Sequence, residues 1–188
     1  PTPVDSAPDP GGGSGIEPAT TLSRPVREHL LSRAGDAEHR GIAVAFVQFL
    51  GTDDLMGREG PVALADALEH VVTTVQRACA EHEVTFFESD INRDGGKIML
   101  TAGAPRSGEH LEERMLRVAR QVVEAGGRLP LRVGINHGHV FAGDFGPPFR
   151  RTYSVKGDAI NLAARLLGRA EPGQALATLP VLDSSPAV

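Results

Sequence analysis

One cysteine, Cys79, occurs in 188 residues. No disulfide can form within the chain, and a reducing, cytoplasmic setting is expected. Basic charge is not in excess: 19 Lys and Arg stand against 24 Asp and Glu, a net charge of -5. General nucleic-acid and membrane-surface binders need a basic face, so neither class is expected. No apolar run is long enough to span a bilayer, and no charged-then-apolar leader opens the sequence. Signatures of several other chemistries are missing too: there is no P-loop, no Ser/His/Asp arrangement and no zinc-ligand spacing. What is present is an ordinary globular composition, 40% hydrophobic and 23% charged, in a chain long enough for one domain with a full core.

The opening stretch PTPVDSAPDPGGGSGIEPATTLSRP is rich in Pro, Gly and Ser and poor in large apolar residues. It cannot bury enough surface to offset its ordering entropy, so residues 1–30 are expected to form a flexible linker. A short helical turn is expected in VREHLLSRAGDAEHR, and the folded domain over 40–180. IAVAFVQFL from Ile42 reads as a strand buried on both faces. PVALADALEHVVTTVQRACAEH turns helical, with Leu64, Leu68, Val71, Val72, Val75 and Cys79 on one stripe and Pro61 in its first turn. VTFFES and GKIMLTAG read as paired strands joined by the turn DINRDG. GEHLEERMLRVARQVVEAG is a second amphipathic helix. LPLRVGINHG and HVFAGDFG are expected to be two strands around a Gly-containing turn. RTYSV is a short strand or loop, GDAINLAARLLGRA a third helix and QALAT a strand. LPVLDSSPAV is too short for another sheet pair. The order strand, helix, strand, strand, helix, strand predicts an α+β, ferredoxin-like βαββαβ sheet with helices on one face.

The third helix poses a question. Ala159, Ile160, Leu162, Ala163, Ala164 and Leu166 are apolar, yet Asn161 and Arg165 lie one turn apart on one face. An amide and a guanidinium fork would suit a sugar and a phosphate lying across the helix. Taken alone, the pair is equally open to a bland reading, with Arg165 bound to a carboxylate and Asn161 bonding backbone.

The surrounding sequence LRVGINHGHVFAGDFGPPFRRTYSVKGDAINLAARLLGRAEPGQALAT resembles the core of the class III nucleotidyl cyclases, the adenylyl and guanylyl cyclase family. The matching pieces are Arg132 to Ile135, Gly138, Ala142-Gly143, Gly146, Tyr153, Gly157-Asp158, Asn161 to Arg165 and Pro172-Gly173-Gln174. The resemblance runs from about 42 to 178 and looks closest to the soluble, bicarbonate-responsive type built from two unequal halves. It implies the ferredoxin-like fold and cyclisation of ATP or GTP by attack of the 3′-hydroxyl on the α-phosphate, with pyrophosphate released. It also implies roles. Asn161 would orient the ribose, Arg165 would stabilise charge at the pentavalent phosphorus, and Ser154 would take the base-contacting position.

The family holds two divalent ions on two Asp residues. Aligning Phe46 and Gly51 puts Gln48 at the first metal position. Aligning Met99, Gly103 and Pro105 puts Gly96 at the second. Neither can serve as a charged ligand, so both metal positions are expected to be lost, with Asp53 and Asp54 the alternative carboxylates should the first strand align in another register. The family's base-reading Lys also lacks a counterpart: Asn92 or Asp94 occupies its region, and Lys97 and Lys156 are out of register. This pattern resembles the metal-free half of a two-half cyclase. Magnesium or manganese would come through a partner half, and a homodimer would have metal ligands at neither site. The chain alone is expected to be inactive, and the family's C-terminal strands are expected to be absent. Two other readings stay open: a regulatory pseudo-cyclase, and an interaction domain without a ligand.

Smaller features have simpler readings. Asp90, Asn92, Asp94 and Gly95 open like an EF-hand loop, but Thr101 stands at the closing Glu position, so a turn is expected. His137 and His139 share a strand face without a third ligand. Asp53 and Asp54 suit a loop or helix approach, Arg150 and Arg151 a solvated loop, and Asp144 and Asp158 structural roles.

Overall fold

The computed structural model describes residues 21–32, 37–147 and 152–185. The elements run α1 (Arg24–Leu31), β1 (Glu38–Leu50), α2 (Thr52–Glu81), β2 (Thr85–Asn92), β3 (Gly95–Ala102), α3 (Leu111–Glu124), β4 (Leu131–Phe145), β5 (Thr152–Lys156), α4 (Asp158–Leu167), β6 (Ala175–Ala177) and α5 (Leu179–Asp183). Most of the stretch expected to be linker lies outside the described residues. Its last part overlaps α1, which seats Val26 and stacks His29 on Tyr153 with ring centroids 4.1 Å apart.

The sheet runs β2-β3-β1-β4-β5, with β6 also pairing β4. All pairs are antiparallel except β4 with β6. The first four strands with α2 and α3 are the βαββαβ unit expected from the sequence. Strand alternation divides β1 between two cores. Ala43, Ala45, Val47 and Phe49 meet α2 and α3 through Val71, Val75, Met115 and Val118. Ile42 and Val44 face the other way, with Met99, Val140, Tyr153 and Val155, and there α4 contributes Ala159 and Ala163. The two helices of the βαββαβ unit thus share one face, while α4, which follows that unit, lies on the other.

Two local expectations are corrected. The long helix begins at Thr52, not at Pro61, and breaks at Gly60, whose φ of 82° is left-handed. Pro61 starts its second segment, where its missing N–H costs nothing. Residues 131–145 form one continuous strand, not two strands around a turn. Gly138 sits mid-strand opposite Ile42. A Cβ there would lie 2.9 Å from the Ala159 Cβ, so this glycine admits a helix and does not bend the chain. After β6 the chain turns into α5 rather than a strand. Cys79 is buried on the inner side of α2, and burial pushes its thiol up to about 12.

Candidate functional site

Helix α4 is seated on β4 by two glycines four residues apart. A Cβ on Gly134 would come within 2.3 Å of the Leu167 nitrogen and 2.4 Å of the Ala163 oxygen. Gly134 and Gly138 therefore bring the helix backbone nearly onto the strand. Ala159, Ala163 and Leu167 are buried in this seat, while Asn161, Leu162, Ala164 and Arg165 are exposed. Asn161 and Arg165 share the outer surface of the helix, as their four-residue spacing requires. Among the described residues neither side chain makes a hydrogen bond or an ion pair. The simplest structural explanation for the pair, a carboxylate holding Arg165, is not met among those residues.

The other predicted positions do not gather around this pair. Tyr153 and Val155 belong to the α4 side of the sheet. Ser154, paired with Gly143 between them, therefore projects to the opposite face. Gln48 lies on the α4 side, half-buried. Its amide oxygen accepts from Arg132 Nε at 2.8 Å, and Arg132 also donates to the Ala170 carbonyl at 3.1 Å. Lys97 stands directly across the β1–β3 ladder from Gln48, and Asp90 across from Lys97 on β2. Gly96 is different: it pairs with Phe49, and a Cβ there would lie 2.5 Å from Phe49 Cζ and 2.7 Å from the Asp90 oxygen. It therefore faces the α2–α3 core, and Gln48 and Gly96 do not converge.

A divalent ion does not fit this arrangement. The neutral Gln48 oxygen is engaged by a guanidinium, an ammonium stands on the adjacent strand, and Gly96 has neither a ligand nor room for one. Among the described residues no three His, Cys, Asp or Glu side chains are grouped to hold a metal. The EF-hand-like stretch is a hairpin whose turn residue Asp94 accepts from the Asp53 backbone N–H at 3.1 Å, beside the start of α2. His137 Nδ1 lies 3.4 Å from Glu112, and Asp144 faces His29 at 3.3 Å. Arg150 and Arg151 lie outside the described residues.

One contributor was missed from the sequence. Asn136 is buried on β4, donating from Nδ2 to the Ala159 carbonyl at 2.9 Å and accepting from Thr178 Oγ1 at 3.0 Å. The signal for Asn136 was the alternation Arg132, Gly134, Asn136, Gly138: a small or polar residue at every second position, set between the apolar Leu131, Val133 and Ile135.

A ferredoxin-like sheet with a glycine-seated helix presenting Asn and Arg defines a class, and comparison with known proteins supplies the family. The family model described as the adenylate and guanylate cyclase catalytic domain matches residues 36–183. The chain belongs to that family. Two uncharacterized proteins of Mycobacterium tuberculosis are 29% and 31% identical over 155 and 157 residues, each over 79% of this chain. The chain spans 28% of the length of each. Among solved structures, the adenylyl cyclase CyaB from P. aeruginosa matches with a TM-score of 0.65 at 20% identity, over 80% of this chain and 82% of that one. The guanylate cyclase domain of RhGC from Catenaria anguillulae, solved with GTP, matches at 0.66 and 18%, over 79% and 84%. At such identities these structures share the fold. No helix among the described residues is long and apolar enough to cross a membrane.

Proposed function

We propose that this chain is the Asn/Arg-bearing half of a nucleotidyl cyclase, completed by a second class III half that carries the metal-binding Asp pair. The observation that carries this reading is the contrast between the outer surface of α4 and the two candidate metal positions, which lie on opposite faces of the sheet. The Asn161–Arg165 pair is exposed and unpartnered among the described residues. The metal positions are closed, with Gln48 bonded to Arg132 beside Lys97 and Gly96 packed under Phe49. In such a pair Asn161 would orient the ribose of ATP or GTP. Arg165 would face the α-phosphate, where its fixed charge stabilises the developing transition state. Magnesium or manganese would be held by the other half, and a homodimer of this chain would form no complete site.

The test is a cyclase assay in Mn²⁺ with ATP or GTP, on the purified chain alone and mixed with a class III half bearing both Asp residues. Product from the mixture only is the expected result. Product from the chain alone would overturn the assignment of Gln48 and Gly96.

A regulatory pseudo-cyclase is the second reading. It is favoured by Asn92 or Asp94 in the region of the base-reading Lys, and by Ser154 projecting from the face opposite α4. Silence in the mixture despite demonstrated binding of the two halves would select it.

A further inference from the structure

We infer that Asn136 is a positioning residue for the Asn161–Arg165 pair, fixing helix α4 at one axial and rotational setting through its side-chain amide. The inference rests on the half-cyclase reading above. Gly134 and Gly138 set how closely the helix approaches β4, and the apolar side chains around Ala159 and Ala163 attract the helix without a preferred direction. A hydrogen bond supplies one, because it is directional. The Asn136 Nδ2–Ala159 oxygen bond is the one side-chain hydrogen bond that any described residue makes to α4. Ala159 lies in the first turn of the helix, two residues before Asn161.

The amide has a single workable orientation. The Ala159 carbonyl can only accept, so the NH2 group must face it, and the oxygen is left to accept from the Thr178 hydroxyl. Thr178 is itself tied to β4, its N–H donating to the Ile135 carbonyl at 3.3 Å. It is also the residue before α5, whose start receives no capping bond from the hydroxyl. Asn136 is only 4% exposed and its bond to Ala159 is buried, so water does not compete for that bond. One buried amide thus joins β4, the first turn of α4 and the β6–α5 connection, and the Thr178 hydroxyl serves to aim it.

Two near-isosteric variants test this. Asn136→Asp keeps the volume and the acceptor but turns an oxygen toward the Ala159 carbonyl. Thr178→Val removes only the hydroxyl. In the complemented mixture with Mn²⁺ and ATP, Asn136→Asp is expected to lower kcat by about 10- to 100-fold, the scale of a sub-ångström to ångström misplacement of groups acting on the transition state. The nucleotide concentration for half-maximal rate should change by much less. Thr178→Val should move kcat in the same direction by a smaller factor, and it carries the test if Asn136→Asp does not fold. A merely structural amide would lower the melting temperature and leave kcat per folded molecule unchanged, and that result would overturn the proposal.

Amide hydrogen exchange on the chain alone gives a readout independent of activity. Faster exchange in Ala163–Leu167, with α3 unchanged, is expected in both variants; unaltered protection of α4 would overturn the proposal. If the wild-type mixture makes no product, the half-cyclase reading fails, and the exchange result still decides the role of Asn136.

Discussion

Arg165 on the outer surface of α4 and Gln48 on β1 show two ways for a polar side chain to be placed. Arg165 is exposed with no partner among the described residues, so its truncation should cost little stability. On the proposed reading, Arg165→Ala removes a charge felt only at the reacting phosphate. Product from the complemented pair should fall by about 100-fold or more, the usual loss for one transition-state donor, with partner binding and the melting temperature retained. Gln48 is the reverse. Its amide oxygen keeps the bond to Arg132 that a carboxylate could also make, without the negative charge. Gln48→Ala should leave a half-buried guanidinium short of one acceptor and cost about 1 kcal/mol, measured by urea unfolding. The sequence disclosed the identity of both residues, and their four- and three-residue spacings to known landmarks. It did not disclose that Arg132 and Lys97 flank Gln48, because cross-strand register depends on how distant segments pair.

At the scale of elements, the contact between β4 and α4 organises the site. The apolar positions of α4 made it legible as a helix, and the unbroken apolar run of β1 foretold burial on both faces. The reading of β4 as two strands failed because a glycine signals either a turn or a close approach, and sequence alone does not separate them. The packing does: Gly134 and Gly138 lie under Ala163, Leu167 and Ala159. Gly134→Ala should therefore be costly, since its new methyl would meet helix backbone that cannot rotate away. A loss of about 1–3 kcal/mol or more is expected in denaturant unfolding. Gly138→Ala, which meets a single Ala159 methyl, should cost less. The order of these two losses is the check on the seating geometry.

For the whole molecule, the buried Cys79 thiol reports on global stability. Burial raises it from the ordinary thiol value of 9.0 to about 12 in the folded chain. Between those values the unfolded chain has lost its thiol proton while the folded chain keeps it, so stability falls as pH rises, by up to about 1.4 kcal/mol per pH unit. Tyr153 is also raised, chiefly by burial, and acts in the same direction. Urea unfolding at pH 8 and pH 10 should show this loss, and Cys79→Ala should reduce it. Below pH 9 the thiol should resist alkylation until the chain unfolds. The sequence made the architecture legible at this scale, because the order of strands and helices admits few topologies. It left open on which face of the sheet α4 would settle, a matter of which glycines lie under which alanines.

Gly96 has a consequence on a longer timescale. A side chain there would strike the Phe49 ring and the Asp90 carbonyl, so a carboxylate could enter only after Phe49 had shrunk or moved. Phe49 is a core residue, and each single step in that direction would be destabilising before any ligand was gained. On the proposed reading this packing works as a ratchet: single substitutions cannot build a metal ligand here, and a metal pair is reached more readily by joining a second half than by altering this one.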